Sequence, residues 1–336
     1  MTKRLEGRDE PILEPDLPIV DAHFHLFDRP GRRYMMDDYL ADANAGHRIA
    51  ASVYIETQSF SRADGPAWLK PLGEVEFANG VAAIGASEVY GPCRIAAAVV
   101  GHADLRRGAA VGELLDRQMS AAPDRFRGIR QITLYHPSEA PYRYMSMRPE
   151  RVEMTDAGFR AGFAQLAPRG LSFDAAVFHT QLGNLASLAG AFPDTIIVLN
   201  HMGMAMGLEA DRQAVFDEWR QSLHDLARLP NVVCKVGGLG MPMWGLGFET
   251  RTDAVGFREL ADAWRPYIET AVEAFGVDRC MLESNFPPDG LSCGFVPLWN
   301  ALKYVVRGVS ADEKAALFHR TATSVYRLTV PTPHNA

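Results

Sequence analysis

The sequence predicts a single (β/α)8 TIM barrel, and three observations support that prediction. The chain has 336 residues, 47% of them hydrophobic and 22% charged, a size and composition at which α/β barrels form one domain around one core. Eight short apolar runs, each bounded by glycine, proline or polar clusters, follow one another along the chain. Segments with helical spacing separate most of these runs, as parallel strands joined by crossover helices require.

The predicted strands follow the chain in order. They cover residues 19–23, 49–57, 93–100, 127–134, 171–178, 195–200, 231–237 and 279–284. Several are apolar without interruption, as in the Ile-Ile-Val-Leu of residues 196–199, and such runs are typical of strands covered on both faces. They indicate a parallel sheet with helices packed around it.

The predicted helices lie between these strands. They cover residues 104–121, 156–167, 181–191, 211–228 and 257–275, with a last helix near 311–327. Three connections, 58–92, 135–155 and 238–256, follow strands and are longer than barrel closure needs, so we expect them to project over the active face. A doubly wound open sheet is the alternative, but no glycine-rich phosphate motif follows the first strand, so the closed barrel is favoured.

Composition limits the function and the compartment. We expect a barrel domain at 18–328, an N-terminal extension at 1–17 and a C-terminal tail at 329–336. The formal net charge is -7 and the basic residues are scattered, which argues against a nucleic-acid partner and for a small-molecule substrate. Four widely spaced cysteines, no signal peptide and no membrane-spanning apolar run predict a cytoplasmic protein. The oligomeric state stays open, a homo-oligomer included.

Polar side chains stand at the C-terminal ends of four predicted strands. His23 and His25 end the first, His179 the fifth, His201 the sixth and Asn285 the eighth. Alternate residues of a strand point to the same face, so His23 and His25 both aim into the barrel mouth, where they can share one cation or one substrate oxygen. A single strand-end histidine is commonly structural, whereas four of them at three strand ends indicate an active site.

This ordered set, with the Ser-Asn-Phe-Pro of residues 284–287, resembles the amidohydrolase superfamily. The closer likeness, over about residues 18–328, is to its amidohydrolase-related (amidohydrolase 2) branch of TIM-barrel metal-dependent hydrolases, which includes sugar lactonases and pyrone dicarboxylate lactonase. The resemblance implies that His23, His25 and His179 bind one divalent metal, usually zinc. It also implies that His201 acts as an electrophile or a base.

The sequence departs from this family at the eighth strand. Asn285 stands where most of the superfamily has aspartate, and an amide can neither take a proton nor bring charge to a metal. Glu283 and Asp289 are the candidates to replace that carboxylate; alternatively, Glu283 pairs with an arginine inside the barrel and Asp289 only turns the loop. The fourth strand carries no lysine, so a single metal is implied, and a metal-free site remains open because the same branch contains metal-independent lactonases.

Candidate substrate-binding residues come from two strands and two of the long connections. Glu56 and Arg130 are charged residues at the ends of the second and fourth strands, and Lys235 on the seventh points either inward or toward the helices. The connections add aromatic and guanidinium groups, which suit a small oxyanionic ligand with an apolar body. These residues are Tyr135, Arg143, Arg148 and Trp244. The alternative for each of them is an ordinary packing contact in a surface loop.

The leading functional prediction is hydrolysis of a small lactone or cyclic ester that carries a carboxylate or several hydroxyls. Water would attack a carbonyl polarised by a metal or by histidine and arginine donors. Nonoxidative decarboxylation of an aromatic or muconate acid on the same scaffold is the first alternative. The second is a binding protein that keeps the barrel and has lost its base, since a fold alone does not fix a function.

Overall fold

The computed structural model describes residues 10–145 and 148–329, and it confirms the TIM barrel. Eight strands pair in parallel in the order of the chain. They are β1 (Ile19–Phe24), β2 (Ile49–Ile55), β3 (Arg94–His102), β4 (Phe126–Arg130), β5 (Ser172–Ala175), β6 (Ile197–Leu199), β7 (Val232–Val236) and β8 (Cys280–Leu282). A short antiparallel hairpin, Phe27–Arg29 with Arg32–Tyr34, follows β1 and lies outside the barrel sheet.

Residues just after β8 close the barrel onto β1. The amide of Asn285 donates to the His23 carbonyl and the amide of His25 donates to the Phe286 carbonyl, both at 2.9 Å. Beneath them the buried Asp21 carboxylate accepts the amide of Ser284 at 2.8 Å and its hydroxyl at 2.6 Å. Closure therefore brings Asn285 beside the first-strand histidines.

Helices surround the strands. Those of the described residues are α1 (Met36–Ala43), α2 (Leu72–Gly85), α3 (Gly112–Ala121), α4 (Ala157–Phe163), α5 (Leu182–Ala191), α6 (Arg212–Ala227), α7 (Phe257–Phe275), α8 (Phe295–Val305), α9 (Ala311–Ala315) and α10 (Thr321–Val325). A π-helical turn, Ala316–Arg320, joins the last two. None of these helices has the length and apolar character of a membrane span.

Four helical segments differ from the sequence prediction, which did not include α1. The connection 58–92 contains the crossover helix α2, whose Gly73, Gly80 and Gly85 weaken the helical signal in the sequence. Gly73 is needed for packing, since a Cβ there would lie 2.6 Å from a backbone oxygen. The predicted helix 104–121 begins as 3₁₀-helix, Leu105–Val111, because Gly108 takes a φ of 60°. Helix α8 was not predicted.

Two apolar layers form the core. The larger lies between the strands and the helices, and the smaller fills the barrel interior with side chains such as Val53, Val100 and Val198. Tyr326, which follows α10, belongs to the inner layer and is fully buried. The site described below lies above this inner layer.

Candidate active site

A cavity of about 460 Å³ opens at the C-terminal ends of the strands. Five of the residues expected at the mouth line it: His25, Glu56, Arg130, His201 and Asn285. The wall also includes residues of the hairpin after β1, of the turn after β2 and of the 135–155 connection, among them Arg29, Gln58, Tyr144 and Met145. The cavity is therefore both polar and apolar, as a small-molecule site is.

His201 and Glu283 form a buried dyad at the cavity wall. Nδ1 of His201 lies 2.6 Å from Oε1 of Glu283. Burial raises the pKa of Glu283 to about 8 and lowers the pKa of His201 well below its usual value, so at neutral pH the shared proton favours the carboxyl. Nδ1 then accepts from the carboxyl, and the other ring nitrogen, Nε2, carries the imidazole proton. His201 is thereby a hydrogen-bond donor.

Two consecutive glycines after β7 make room for this dyad. A Cβ on Gly237 would lie 2.5 Å from Cγ of Glu283, and one on Gly238 would lie 2.5 Å from Nδ1 of His201. Gly238 also has a φ of +67°, which side chains rarely tolerate. The Gly-Gly step thus fixes the position of the dyad by close backbone contact.

His23 and His25 meet edge to edge, with their Nε2 atoms 3.1 Å apart. Nδ1 of His25 donates to the Ile55 carbonyl at 2.9 Å, which assigns its proton to that nitrogen and leaves Nε2 as an acceptor. Burial, with the nearby positive charges, lowers the pKa of both histidines well below the usual range. Both imidazoles are therefore neutral at physiological pH.

Arg130 joins this group to Glu56. Its Nε donates to Oε1 of Glu56 at 2.7 Å and its Nη2 to the Glu56 carbonyl at 2.6 Å, while Nη1 lies 3.4 Å from Nε2 of His23. The second carboxylate oxygen, Oε2 of Glu56, is buried and has no hydrogen-bond partner among the described residues. A buried acceptor without a donor is costly, and at a cavity wall it is a place where a ligand or water can bind.

A second ion pair lies under the histidines. Nζ of Lys235 is 2.6 Å from Oδ1 of Asp174 and 3.4 Å from Nδ1 of His23, and the Tyr326 hydroxyl donates to the same carboxylate at 3.0 Å. All of these side chains are fully buried. From the sequence, Lys235 points either inward or toward the helices, and no role is predicted for Asp174. The signal that the sequence offers is one acid and one base inside apolar runs on two strands.

Asn285 is oriented by Asp289 from behind. Its Nδ2 donates to Oδ1 of Asp289 at 2.7 Å, and Oδ2 of Asp289 accepts the Gly240 amide at 2.8 Å. Burial raises the pKa of Asp289 well above its usual value. Asp289 is not part of the cavity wall; it contacts the site through Asn285.

The structure does not bring His179 into the histidine cluster. It begins a short 3₁₀ turn after β5, and its Nδ1 accepts the Met206 amide at 3.1 Å. The charged side chain that most influences it is Glu218 of α6, on the helical side of the strands.

Four of the expected substrate-binding residues are outside the cavity wall. They are Tyr135, Arg143, Arg148 and Trp244. Arg143 pairs with Glu209, and Arg148 pairs with Glu139 and covers the Tyr142 ring, all on the exposed side of the loops. Tyr135 is stacked under Arg151. Trp244 is fully buried, and its indole donates to the Gly238 carbonyl at 2.9 Å, so it supports the glycine step.

The donor set fits a metal ion, although it differs from the implied triad. Among the described residues, His23, His201 and Glu283 offer ligand atoms that all lie within 4.8 Å of one another. Once Glu283 has lost the proton of the dyad, two neutral imidazoles with one carboxylate are a zinc ligand set, and Oε2 of Glu283 is buried without a hydrogen-bond partner in the part of the chain described. Lys235 and Arg130, which face His23, already supply positive charge to the same space.

A parallel (β/α)8 barrel with a histidine-rich cavity at the C-terminal strand ends defines the class of TIM-barrel enzymes. The model of the amidohydrolase family (Amidohydro_2) matches residues 20–328, and the chain belongs to this family. This confirms the resemblance read from the strand-end motifs.

Related proteins support the family and the fold. The chain is 36% identical over 335 residues to uncharacterized protein y4mH of Sinorhizobium fredii, covering 93% of this chain and 99% of that protein. It is 28% identical over 326 residues to an L-fucono-1,5-lactonase of Burkholderia multivorans, covering 93% and 97%. A crystal structure of an amidohydrolase from Burkholderia multivorans with bound zinc superimposes with a TM-score of 0.70 at 25% identity, covering 93% of this chain and 99% of that chain.

Proposed function

We propose that this protein hydrolyses a small lactone. The observation that carries the proposal is the presence, at one cavity, of the hydrogen-bonded dyad His201–Glu283 and of a carboxylate oxygen, Oε2 of Glu56, that has no hydrogen-bond partner among the described residues. Hydrolysis of a cyclic ester needs a donor for the carbonyl oxygen and an acceptor for the proton of water. The likeness to an L-fucono-1,5-lactonase supports the same reaction class.

In this proposal His201 polarises the substrate carbonyl. Its Nε2–H donates to the carbonyl oxygen, and Glu283 holds the ring in the tautomer that makes this possible. The guanidinium of Arg130 adds positive charge beside the same space. Negative charge that develops on the oxygen is thereby stabilised by two groups whose side chains are buried.

Glu56 accepts the proton from the attacking water. The oxygen of that water bonds to the carbonyl carbon while its proton passes to Oε2 of Glu56. The bond between the carbonyl carbon and the ring oxygen then breaks, and the ring oxygen takes up the proton, which yields a hydroxy acid. Arg130 holds Oε1 of Glu56 at 2.7 Å and so aims Oε2. Asn285, whose Nδ2 is bound to Asp289, is left with its Oδ1 to orient the water or the substrate.

A divalent cation, zinc by its ligand chemistry, would be held by His23, His201 and Glu283. Such an ion would supply Lewis-acid polarisation of an oxygen ligand. Because Asn285 brings no charge, and Lys235 with Arg130 faces the same histidine, we infer that binding is weaker than at a site with a further carboxylate.

A panel of aldonic and uronic lactones, assayed for acid release with a pH indicator, tests the function. We expect at least one lactone to be opened, and His201→Asn to lower kcat/KM by at least about 100-fold. The control is His224→Asn on α6, far from the cavity wall, which should retain the activity. Carbon dioxide release from an aromatic acid, with no lactone opened, would transfer the assignment to decarboxylation.

A further inference from the structure

Arg29 lines the cavity and has no carboxylate partner in the described part of the chain. Its Nε donates to the Ser59 hydroxyl at 2.9 Å and its Nη2 donates to the Thr57 carbonyl. Among the residues described, it forms no ion pair. Two other arginines of the wall do form ion pairs: Arg130 with Glu56, and Arg33 with Asp37 and Asp38. Arg29 therefore leaves positive charge, and the Nη1 edge, available to a ligand.

The turn whose Thr57 carbonyl binds Arg29 is itself held in place by a buried carboxylate. Glu74 of α2, 1% exposed, accepts the amide of Thr57 at 2.6 Å and that of Gln58 at 3.0 Å through its two oxygens. Gln58, which also lines the cavity, has a φ of 60°, a strained backbone that this buried carboxylate maintains. A turn held in this way presents Arg29 and Gln58 as a preorganised pair.

The two guanidinium groups are bound to the carbonyls of consecutive residues. Arg130 donates to the carbonyl of Glu56, and Arg29 donates to the carbonyl of the next residue, Thr57. Arg130 belongs to the reacting end of the cavity, next to His23. Arg29 belongs to the hairpin after β1 and lines the same cavity, so one ligand can place its ester carbonyl near Arg130 and its far end near Arg29.

We propose that Arg29 binds a carboxylate on the substrate at the end opposite the scissile carbonyl, which makes the preferred substrate an acidic sugar lactone. This inference rests on the proposed lactonase function. A guanidinium with a free edge recognises a carboxylate through charge-assisted hydrogen bonds, whereas a hydroxymethyl group at that place gains much less. The sequence had assigned this role to Arg130 or to arginines of the 135–155 connection.

Two lactones that differ only at this end test the proposal. D-glucaro-1,4-lactone carries a carboxylate where D-glucono-1,4-lactone carries a hydroxymethyl group. We expect Arg29→Gln to raise the KM for the acidic lactone about tenfold and to leave that for the neutral one within about twofold. Arg29→Lys, which keeps the charge, should retain part of the preference. The matched control, Arg62→Gln, removes an exposed arginine that pairs with Glu76 and does not line the cavity, and both KM values should stay within about twofold.

An equal effect of Arg29→Gln on both lactones, or no effect on either, would overturn the proposal. If the wild type opens neither lactone, calorimetric binding of D-glucarate and D-gluconate separates the site from the reaction. Tighter binding of glucarate that is lost in Arg29→Gln would support the carboxylate site while the lactonase function fails. Equal binding of the two acids, or glucarate binding that survives the substitution, would refute the carboxylate site as well.

Discussion

At the scale of single residues, the site has an amide, Asn285, where most of the superfamily has the eighth-strand aspartate, and its acidic side chains lie at other positions. Asn285 cannot take a proton, and neither candidate substitute reaches the cavity wall: Glu283 backs His201, and Asp289 holds the Asn285 amide. Two carboxylates line the wall: Asp38, which pairs with Arg33, and Glu56, which lies on the other side of the barrel closure and keeps one oxygen without a hydrogen-bond partner among the described residues. We infer that the proton acceptor has moved from the eighth strand to the second.

Glu56→Gln tests this reassignment. The amide oxygen can still accept from Nε of Arg130, but the side chain can no longer take a proton from water, so kcat should fall by about 100-fold or more with little change in KM. Lactone turnover measured over a range of concentrations gives both constants. The matched control is Glu76→Gln, an exposed acid that pairs with Arg62. A variant of Glu56 with normal kcat would show that another group accepts the proton.

At the scale of elements, the turn after β7 decides where the dyad stands. Gly237 and Gly238 lie against Glu283 and His201 at distances that leave no room for a Cβ. The same loop contains Gly247, which also has a positive φ, +79°, but has open space around the position of a Cβ. The chain thus offers two glycines with similar backbone strain and opposite packing.

Gly238→Ala should displace His201 and lower kcat by at least about tenfold, since both the clash with Nδ1 and the positive φ act against it. Gly247→Ala should carry only the cost of the positive φ, about 1 kcal/mol of the free energy of unfolding, and keep its activity. Thermal unfolding and lactone turnover measured on both variants separate the two effects. Equal activity losses in the two would mean that strain in the loop, and not the contact with His201, is responsible.

The sequence predicted the strands and the residues at their ends, because apolar periodicity and strand-end chemistry are local signals. It placed His23, His25, His179, His201 and Asn285 at one mouth, and the structure brings all of these together except His179. Contacts between distant strands could not be predicted from these local signals, because the dyad depends on the relative register of β6 and β8. The hairpin arginines were missed because nothing local indicates that a Pro-Gly turn with flanking arginines folds back over the cavity.

At the scale of the whole molecule, buried polar groups hold the segment before β1 against helix α8. Lys303 of α8 donates to the carbonyls of Leu13 and Glu14, both at 2.8 Å, and to Nδ1 of His47 at 3.0 Å. Nε2 of His47 donates to the Val296 carbonyl at 3.2 Å. Both ring nitrogens are thus used by the neutral imidazole. A second proton on Nδ1 would face the ammonium.

This arrangement makes stability depend on pH. Burial, followed by Lys303, lowers the pKa of His47 from 6.5 to about 4, so the unfolded chain binds more protons between these values. Stability should therefore fall as pH falls through this window, by at most about 3 kcal/mol from this residue. Denaturant unfolding of the wild type and His47→Gln at pH 7 and pH 4 isolates the contribution. The glutamine variant should lose less stability on acidification, and identical losses would contradict the assignment.

Tyr326 connects the last described helix with the charges under the active site, through Asp174, Lys235 and His23. Since Tyr326 lies after all eight strands in the sequence, the ribosome synthesises every strand of the barrel before it reaches this buried residue. A nascent chain at that stage has Asp174 without its phenol partner. The candidate site is thus completed from below by a residue that is translated after all eight strands.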